Sequence, residues 1–184
     1  MKWTPAPPDA ACQSLEDCDY TFTVPEVCRA VLSKNPRPIV VFPKHVRETV
    51  VEHLASKSTE LGGLLFGSAF TAGADPANPP LLVQITNSIE SNSYQSTGVS
   101  LRMDTEIWDR AKPFVEKKHI VVGWYHSHPN LGAFFSGIDR KNQAAVFYHL
   151  YSLGLVIDPI RREEKWFVGK DSAELPPTLI REAL

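Results

Sequence analysis

No stretch of this 184-residue sequence approaches the ~18 uninterrupted apolar residues that a membrane-crossing helix needs, so no membrane role is expected. Basic charge is not in excess either. Nineteen Lys and Arg stand against 21 Asp and Glu, a formal charge of −2, which leaves nothing to neutralise phosphates and sets nucleic acid aside as a partner. The first twenty residues have no apolar h-region and no small-residue cleavage site; Lys2 is followed by Asp9, Glu16, Asp17 and Asp19, and the expected location is the cytoplasm. Cysteine is scarce. Cys12, Cys18 and Cys28 fit neither C-x-x-C zinc pairs nor a disulfide framework, so they read as reduced thiols, with a local Cys12–Cys18 bridge as the alternative. Without internal repeats or low-complexity tracts, and with 43% apolar and 22% charged residues, the chain reads as one soluble domain around one core.

Proline, by contrast, is abundant near the start. Pro5, Pro7, Pro8, Pro25 and Pro36 mark residues 1–36 as an N-terminal arm with one short helical stretch near Glu26–Ser33. Ile39–Phe42 reads as a strand, and Pro43 as the first residue of a helix to Lys57 with a Val46, Val50, Val51, Leu54 stripe. Leu61–Phe70 is apolar with Gly62, Gly63 and Gly67, a buried strand that something must approach closely. A turn at Asp75–Pro80 leads to a second strand, Leu81–Ile89, and a hairpin is the economical pairing. Ser91–Gly98 reads as a loop, Ser100–Met103 as a short strand, and Asp104 as the cap of a helix toward Lys118 that Pro113 weakens. His119–Tyr125 has a central-strand pattern; a helix from Ser136 to Leu150 and strands at Leu153–Ile157 and Lys165–Val168 follow. The expected fold class is α+β, with the domain over residues 37–172 and a C-terminal tail over 173–184. His45, His53, His119 and His149 read as surface or supporting residues, and Trp124 as core.

The chemistry concentrates in His126-x-His128-Pro129 and, with seven residues between His128 and Ser136, Ser136-x-x-Asp139. Residues two apart on a strand share a face, so His126 and His128 present two imidazoles toward one point. An Asp in the first turn of the next helix can swing back over the strand end and complete a two-His, one-carboxylate set suited to one zinc ion with an open position for water. Bound water there has a pKa near ~7, and a base is still required. Glu60, at the mouth of the glycine-rich strand, is the candidate base, and Ser136 the candidate hydroxyl donor to a developing oxyanion. Each piece also has a plainer reading: a strand histidine is usually packed or exposed, and Ser136 with Asp139 matches a helix capping box. Together they recur by chance only on the order of once in a thousand such sequences, so the joint motif decides.

Glu60 followed by Leu-Gly-Gly-Leu-Leu-Phe-Gly, then Gly123-Trp-Tyr-His-Ser-His-Pro and Ser136-Gly-Ile-Asp139, resembles the JAMM (MPN+) metalloprotease signature, over residues 38–170. The resemblance implies the MPN fold, a mixed sheet flanked by helices. It implies zinc held by His126, His128 and Asp139, water activation by Glu60 and oxyanion stabilisation by Ser136. The implied activity is hydrolysis after the C-terminal tail of ubiquitin or a ubiquitin-like protein, with such a protein or its conjugates, and co-encoded conjugation enzymes, as partners. Compact bacterial members, some in antiviral defence systems, are the nearest in size; a sulfur-carrier peptidase and a non-catalytic MPN scaffold are the alternatives. Family members carry an insertion near Ser91–Ser100 that covers the substrate tail, so Tyr94, with Phe134 and Phe135 beside the metal, is expected to contact substrate.

Overall fold

The computed structural model describes residues 12–34, 36–72, 78–91, 106–116 and 119–183. In chain order the elements are β1 (Gln13–Ser14), α1 (Val24–Leu32), β2 (Ile39–Pro43), α2 (Lys44–Ala55), β3 (Gly62–Thr71), β4 (Pro80–Glu90), α3 (Glu106–Glu116), β5 (Ile120–Ser127), α4 (Gly137–Val146), β6 (Leu153–Asp158), β7 (Glu163–Val168), β8 (Ala173–Leu175) and β9 (Ile180–Ala183). The strands form one mixed sheet in the order β8-β7-β6-β5-β3-β4-β2-β9, with β1 pairing beside β3. The α+β expectation therefore holds, and β3 with β4 makes the antiparallel hairpin read from the turn between them.

Both faces of the sheet are covered, which explains why β3 reads as a continuous apolar run rather than an alternating one. Leu64 and Phe66 join Trp124, Phe135, Val156 and Phe167 on the face packed by Ile107 and Ala111 of α3 and by Val146 of α4. Leu65, Tyr125, Val122 and Leu155 belong to the opposite core, under Val46, Val50 and Leu54 of α2. Val51 is turned outward, because the apolar stripe of α2 is narrower than its sequence suggests. His53, its side chain 11% exposed, meets the Tyr125 hydroxyl at 3.1 Å, which makes it a supporting residue rather than a surface one.

Close approach at the glycine-rich strand comes from its own neighbours. A Cβ on Gly63 would lie 2.2 Å from the Ile89 carbonyl oxygen of β4 and 2.6 Å from the Tyr125 ring of β5, so only glycine lets both strands close on β3 there. That tight pairing sets Gly62 opposite His126 and brings the start of β3 against the end of β5.

Several boundaries differ from the sequence reading for local reasons. Pro43 closes β2 and precedes α2, its φ of −60° and ψ of 140° being extended. Helix α4 stops at Val146, not Leu150, because the Gln143 amide donates to the carbonyls of Phe147, Ser152 and Gly169 and folds the chain back on itself. Helix α3 accommodates Pro113 near its end, losing a single backbone bond. Residues 173–184, read as a tail, carry β8 and β9, and β9 pairs in parallel with β2. Arg181 of β9 in turn reaches the buried Glu26 carboxylate at 2.9 Å, tying α1 to the sheet. Cys12, Cys18 and Cys28 are free thiols. No helix among the described residues is long and apolar enough to cross a membrane.

The glycine argument gives a stability prediction. Gly63→Ala should lower the unfolding free energy by about 1–3 kcal/mol through overpacking. Gly137→Ala, whose Cβ would meet nothing within 4 Å, should leave it unchanged or raise it by up to ~1 kcal/mol. Urea unfolding of both variants checks this; equal stability of the two would refute the close-packing account.

Candidate metal centre

Three strand ends and one helix start build the site. His126 lies in β5 on the same face as Trp124, whose ring is parallel to the imidazole (6°) at a centroid distance of 4.6 Å. The indole N–H donates to Gln143 Oε1 at 2.6 Å, so α4, the helix that carries Asp139, also fixes the surface on which His126 rests. His128 sits one residue past β5, where its backbone N–H donates to the Ile157 carbonyl of β6 at 3.0 Å. Between the two histidines Ser127 clamps the start of β3: its N–H donates to the Leu61 carbonyl and its hydroxyl accepts from the Leu61 N–H. Glu60, the residue before Leu61, is thereby held beside His128, with 3.9 Å between Oε1 and Nε2.

Asp139 arrives from the other side. Ser136 and Asp139 cap α4 reciprocally: Ser136 N–H donates to Asp139 Oδ2 at 2.7 Å, and Asp139 N–H donates to Ser136 Oγ at 3.2 Å. The capping reading of this pair therefore holds, and the cap leaves the Asp139 carboxylate facing the two histidines. The capped carboxylate stands 3.4 Å from His126 Nε2 through Oδ1 and 3.6 Å from His128 Nε2 through Oδ2. One ligand atom from each of His126, His128 and Asp139 falls within a 4.8 Å set, and all three side chains are buried.

The donor set fits a cation. His126 is fully buried, yet neither of its ring nitrogens has a hydrogen-bond partner, and His128 Nδ1 is likewise unpartnered. An unsatisfied buried polar group costs about 1–3 kcal/mol, an expense a metal–nitrogen bond removes. Burial, the neighbouring His126 ring and the opposing pull of Asp139 leave His128 with a pKa of about 4, so its imidazole is neutral, with a lone pair available, near pH 7. Burial would raise Asp139, but the His126 ring and the Ser136 contacts outweigh it and hold the carboxyl at about 2. Two imidazoles and a carboxylate are a donor set for zinc. Glu60 differs: burial pushes its carboxyl up, Asp139 adds to the rise, and His126 opposes it.

The remaining sequence-predicted residues separate. Phe134 is 44% exposed and tilted against the His128 ring at 4.8 Å, which puts it at the mouth of the site. Phe135 is 5% exposed, stacks on Phe167 at 4.0 Å and fills the notch left by Gly154, where a Cβ would come within 2.3 Å of its ring. Its expected contact with substrate is thus corrected: it is core beneath the His126 ring. Tyr94 and nearly all of the Ser91–Ser100 loop lie outside the described residues. Gln143 and Asp158, both fully buried beside the site, were missed; a glutamine one helical turn after Asp139 was the available signal for the first.

Comparison with known proteins agrees with this geometry. The family model described as prokaryotic homologs of the JAB domain matches residues 43–167. Ubiquitin carboxyl-terminal hydrolase RPN11 of Saccharomyces cerevisiae is 35% identical over 71 residues, which are 35% of this chain and 23% of that protein. COP9 signalosome complex subunit 5b of Arabidopsis thaliana is 52% identical over 42 residues, 22% of this chain and 12% of that one. The chain thus spans less than a quarter of the length of either relative. A solution structure of a protein from Desulfitobacterium hafniense shares the fold at a TM-score of 0.58 and 22% identity, over 78% of this chain and 92% of the other.

Two outcomes follow for the site. Protein purified without added metal should carry about one equivalent of zinc, and His128→Ala should lose it; two equivalents, or full retention in the variant, would count against the ligand set. Metal-free protein should also lose stability in acid. The unfolded chain takes a proton on this imidazole near pH 6.5 and the folded chain only near 4, so protonation favours unfolding across that window. Thermal melts of chelator-treated protein should fall from pH 6.5 to 4, less steeply in His128→Gln.

Proposed function

From the premise that this chain belongs to the prokaryotic homologs of the JAB domain, we propose that it is a zinc-dependent peptidase or isopeptidase, cutting after the C-terminal tail of a ubiquitin-like protein. The observation that carries the reading is the convergence of His126, His128 and Asp139 on one buried point, with unpartnered imidazole nitrogens and with Glu60 alongside. A scaffold that has lost its chemistry has no reason to keep such nitrogens buried. The name of the yeast relative, a ubiquitin carboxyl-terminal hydrolase, supports the substrate class.

His126, His128 and Asp139 would hold the ion, whose contribution is Lewis-acid activation of a water and of the scissile carbonyl. Glu60 would take the proton from that water on a carboxylate oxygen and return it to the leaving amine. Burial favours this by raising the proton affinity of Glu60 above that of an ordinary carboxylate. Ser136 Oγ accepts from the Asp139 N–H, and its hydroxyl would turn to donate to the developing oxyanion. Phe134, exposed beside His128, would bound the space next to the cut and favour small residues there. The partner would be a ubiquitin-like protein or its conjugates, encountered in the cytoplasm with its conjugating enzymes; the free thiols Cys12, Cys18 and Cys28 suit a reducing compartment.

The test is a panel of tagged ubiquitin-like and sulfur-carrier fusions, with and without chelator. Tails ending Gly-Gly should be cut and those with a final Leu spared, and chelator should abolish cleavage. Glu60→Gln should retain zinc and fold while losing most turnover, and Ser136→Ala should lose ~100-fold with zinc retained. Wild-type turnover in Glu60→Gln would assign the base to another group, and chelator-resistant cleavage would reject the metal mechanism.

A further inference from the structure

His126 is oriented by the flat face of Trp124, but His128 stands on a turn outside the sheet, and something must hold that turn. Asp158, the last residue of β6, does so with a fully buried carboxylate. Its Oδ1 accepts the backbone N–H of Asn130 at 3.0 Å, and its Oδ2 accepts that of Gly132 at 2.7 Å. Oδ1 also accepts the N–H groups of Ile160 and Arg161 at 3.0 and 3.1 Å, and the Arg161 Nε lies 3.7 Å from Oδ2. One carboxylate thus ties the turn that leaves His128 to the turn that leaves β6.

The tied turn is not one the chain adopts freely. Asn130 has φ +61° and Gly132 φ +89°, two left-handed residues within three, and the turn closes through the Leu131 N–H onto the His128 carbonyl. Backbone held in such regions persists when its surroundings over-determine it, and two of the four amides on Asp158 belong to these two residues. Burial alone would raise the Asp158 carboxyl, yet the backbone N–H groups keep it below the ordinary carboxylate range, so all of its acceptor capacity serves the turns.

We propose that Asp158 is the positioning residue for His128: by fixing the turn from His128 to Gly132 it sets where that imidazole stands opposite His126 and Asp139, and hence how tightly the site holds its ion. The proposal rests on reading His128 as a ligand, as above. It assigns the residue no contact with substrate or metal.

Asp158→Asn keeps the size and one acceptor oxygen but turns an N–H donor toward amides that need an acceptor. Two readouts follow. Zinc affinity, by chelator competition, should weaken roughly 10–100-fold, the usual penalty for removing a group that orients a ligand. Hydrogen exchange of metal-free protein should quicken at the Asn130 and Gly132 amides. Glu26→Gln is the matched control: it removes another buried carboxylate, paired to Arg181, Thr23 and Tyr20 on α1, outside the site. That variant should lose stability with zinc affinity unchanged. Wild-type zinc affinity in Asp158→Asn would overturn the proposal, as would an equal weakening in Glu26→Gln, because the effect would then be one of global stability. Should Asp158→Asn not fold, Gly132→Ala strains the same turn at its left-handed residue and should weaken zinc in the same direction; wild-type affinity there would overturn the proposal as well. If the wild-type chain itself takes up no zinc, the ligand reading fails, while the exchange data still decide whether Asp158 fixes the turn.

Discussion

Everything at the centre depends on where a single helix cap puts a carboxylate. An N-cap box of the Ser136–Asp139 kind is worth about 1 kcal/mol, whereas taking a carboxylate out of water costs several. The cap alone therefore does not account for an Asp139 that is almost wholly buried and held ionised. What offsets the burial is the set of partners it faces: the Ser136 amide on one oxygen, and two imidazole Nε2 atoms at 3.4 and 3.6 Å. The capping geometry fixes the direction of the side chain, and the sheet supplies what it points at.

The two imidazoles are held by different physics. His126 is inside a strand, pinned by the register with Gly62 of β3 and Val156 of β6 and by ring stacking, so it needs no hydrogen bond to keep its orientation. This leaves both of its nitrogens without a hydrogen bond, an arrangement that would be a defect in a packed core. His128 has left the strand and relies on backbone bonds, to Ile157 directly and through the turn gathered by Asp158. A rigid imidazole and a turn-borne one meet at one carboxylate, which is how a site assembled from separate elements reaches a common point.

The local part of this was legible in the sequence. His126-x-His128 and Ser136-x-x-Asp139 are short-range patterns whose geometry follows from strand and helix periods, and the structure brings them together. Glu60 lies 66 residues before His126 in the chain and meets the site only through the pairing of β3 with β5, so spacing alone could not place it; its position at the mouth of the glycine-rich strand made it a candidate, and the resemblance to a family signature implied the same role. Phe135 was misread because two adjacent aromatics look alike in sequence, and the notch over Gly154 that buries one of them belongs to a different strand. Strands β8 and β9, of 3 and 4 residues, are too short to show a period and owe their existence to neighbours far away in the chain. The role of Asp158 appears only when the His128 turn is folded against it.

The division of labour between the two acidic residues is the last consequence of these environments. Both Glu60 and Asp139 are buried, and burial raises both; what separates them is what lies within reach of each. Asp139 has an amide, a hydroxyl and an imidazole that favour its charge, and it stays ionised down to about pH 2. Glu60 feels the repulsion of that same ionised Asp139, and the attraction of His126 does not cancel its burial, so its carboxyl is displaced upward. Two carboxylates whose proton affinities are pushed in opposite directions in one site are the arrangement from which a permanent ligand and an exchangeable base are made. By staying ionised, Asp139 therefore helps to raise the proton affinity of Glu60.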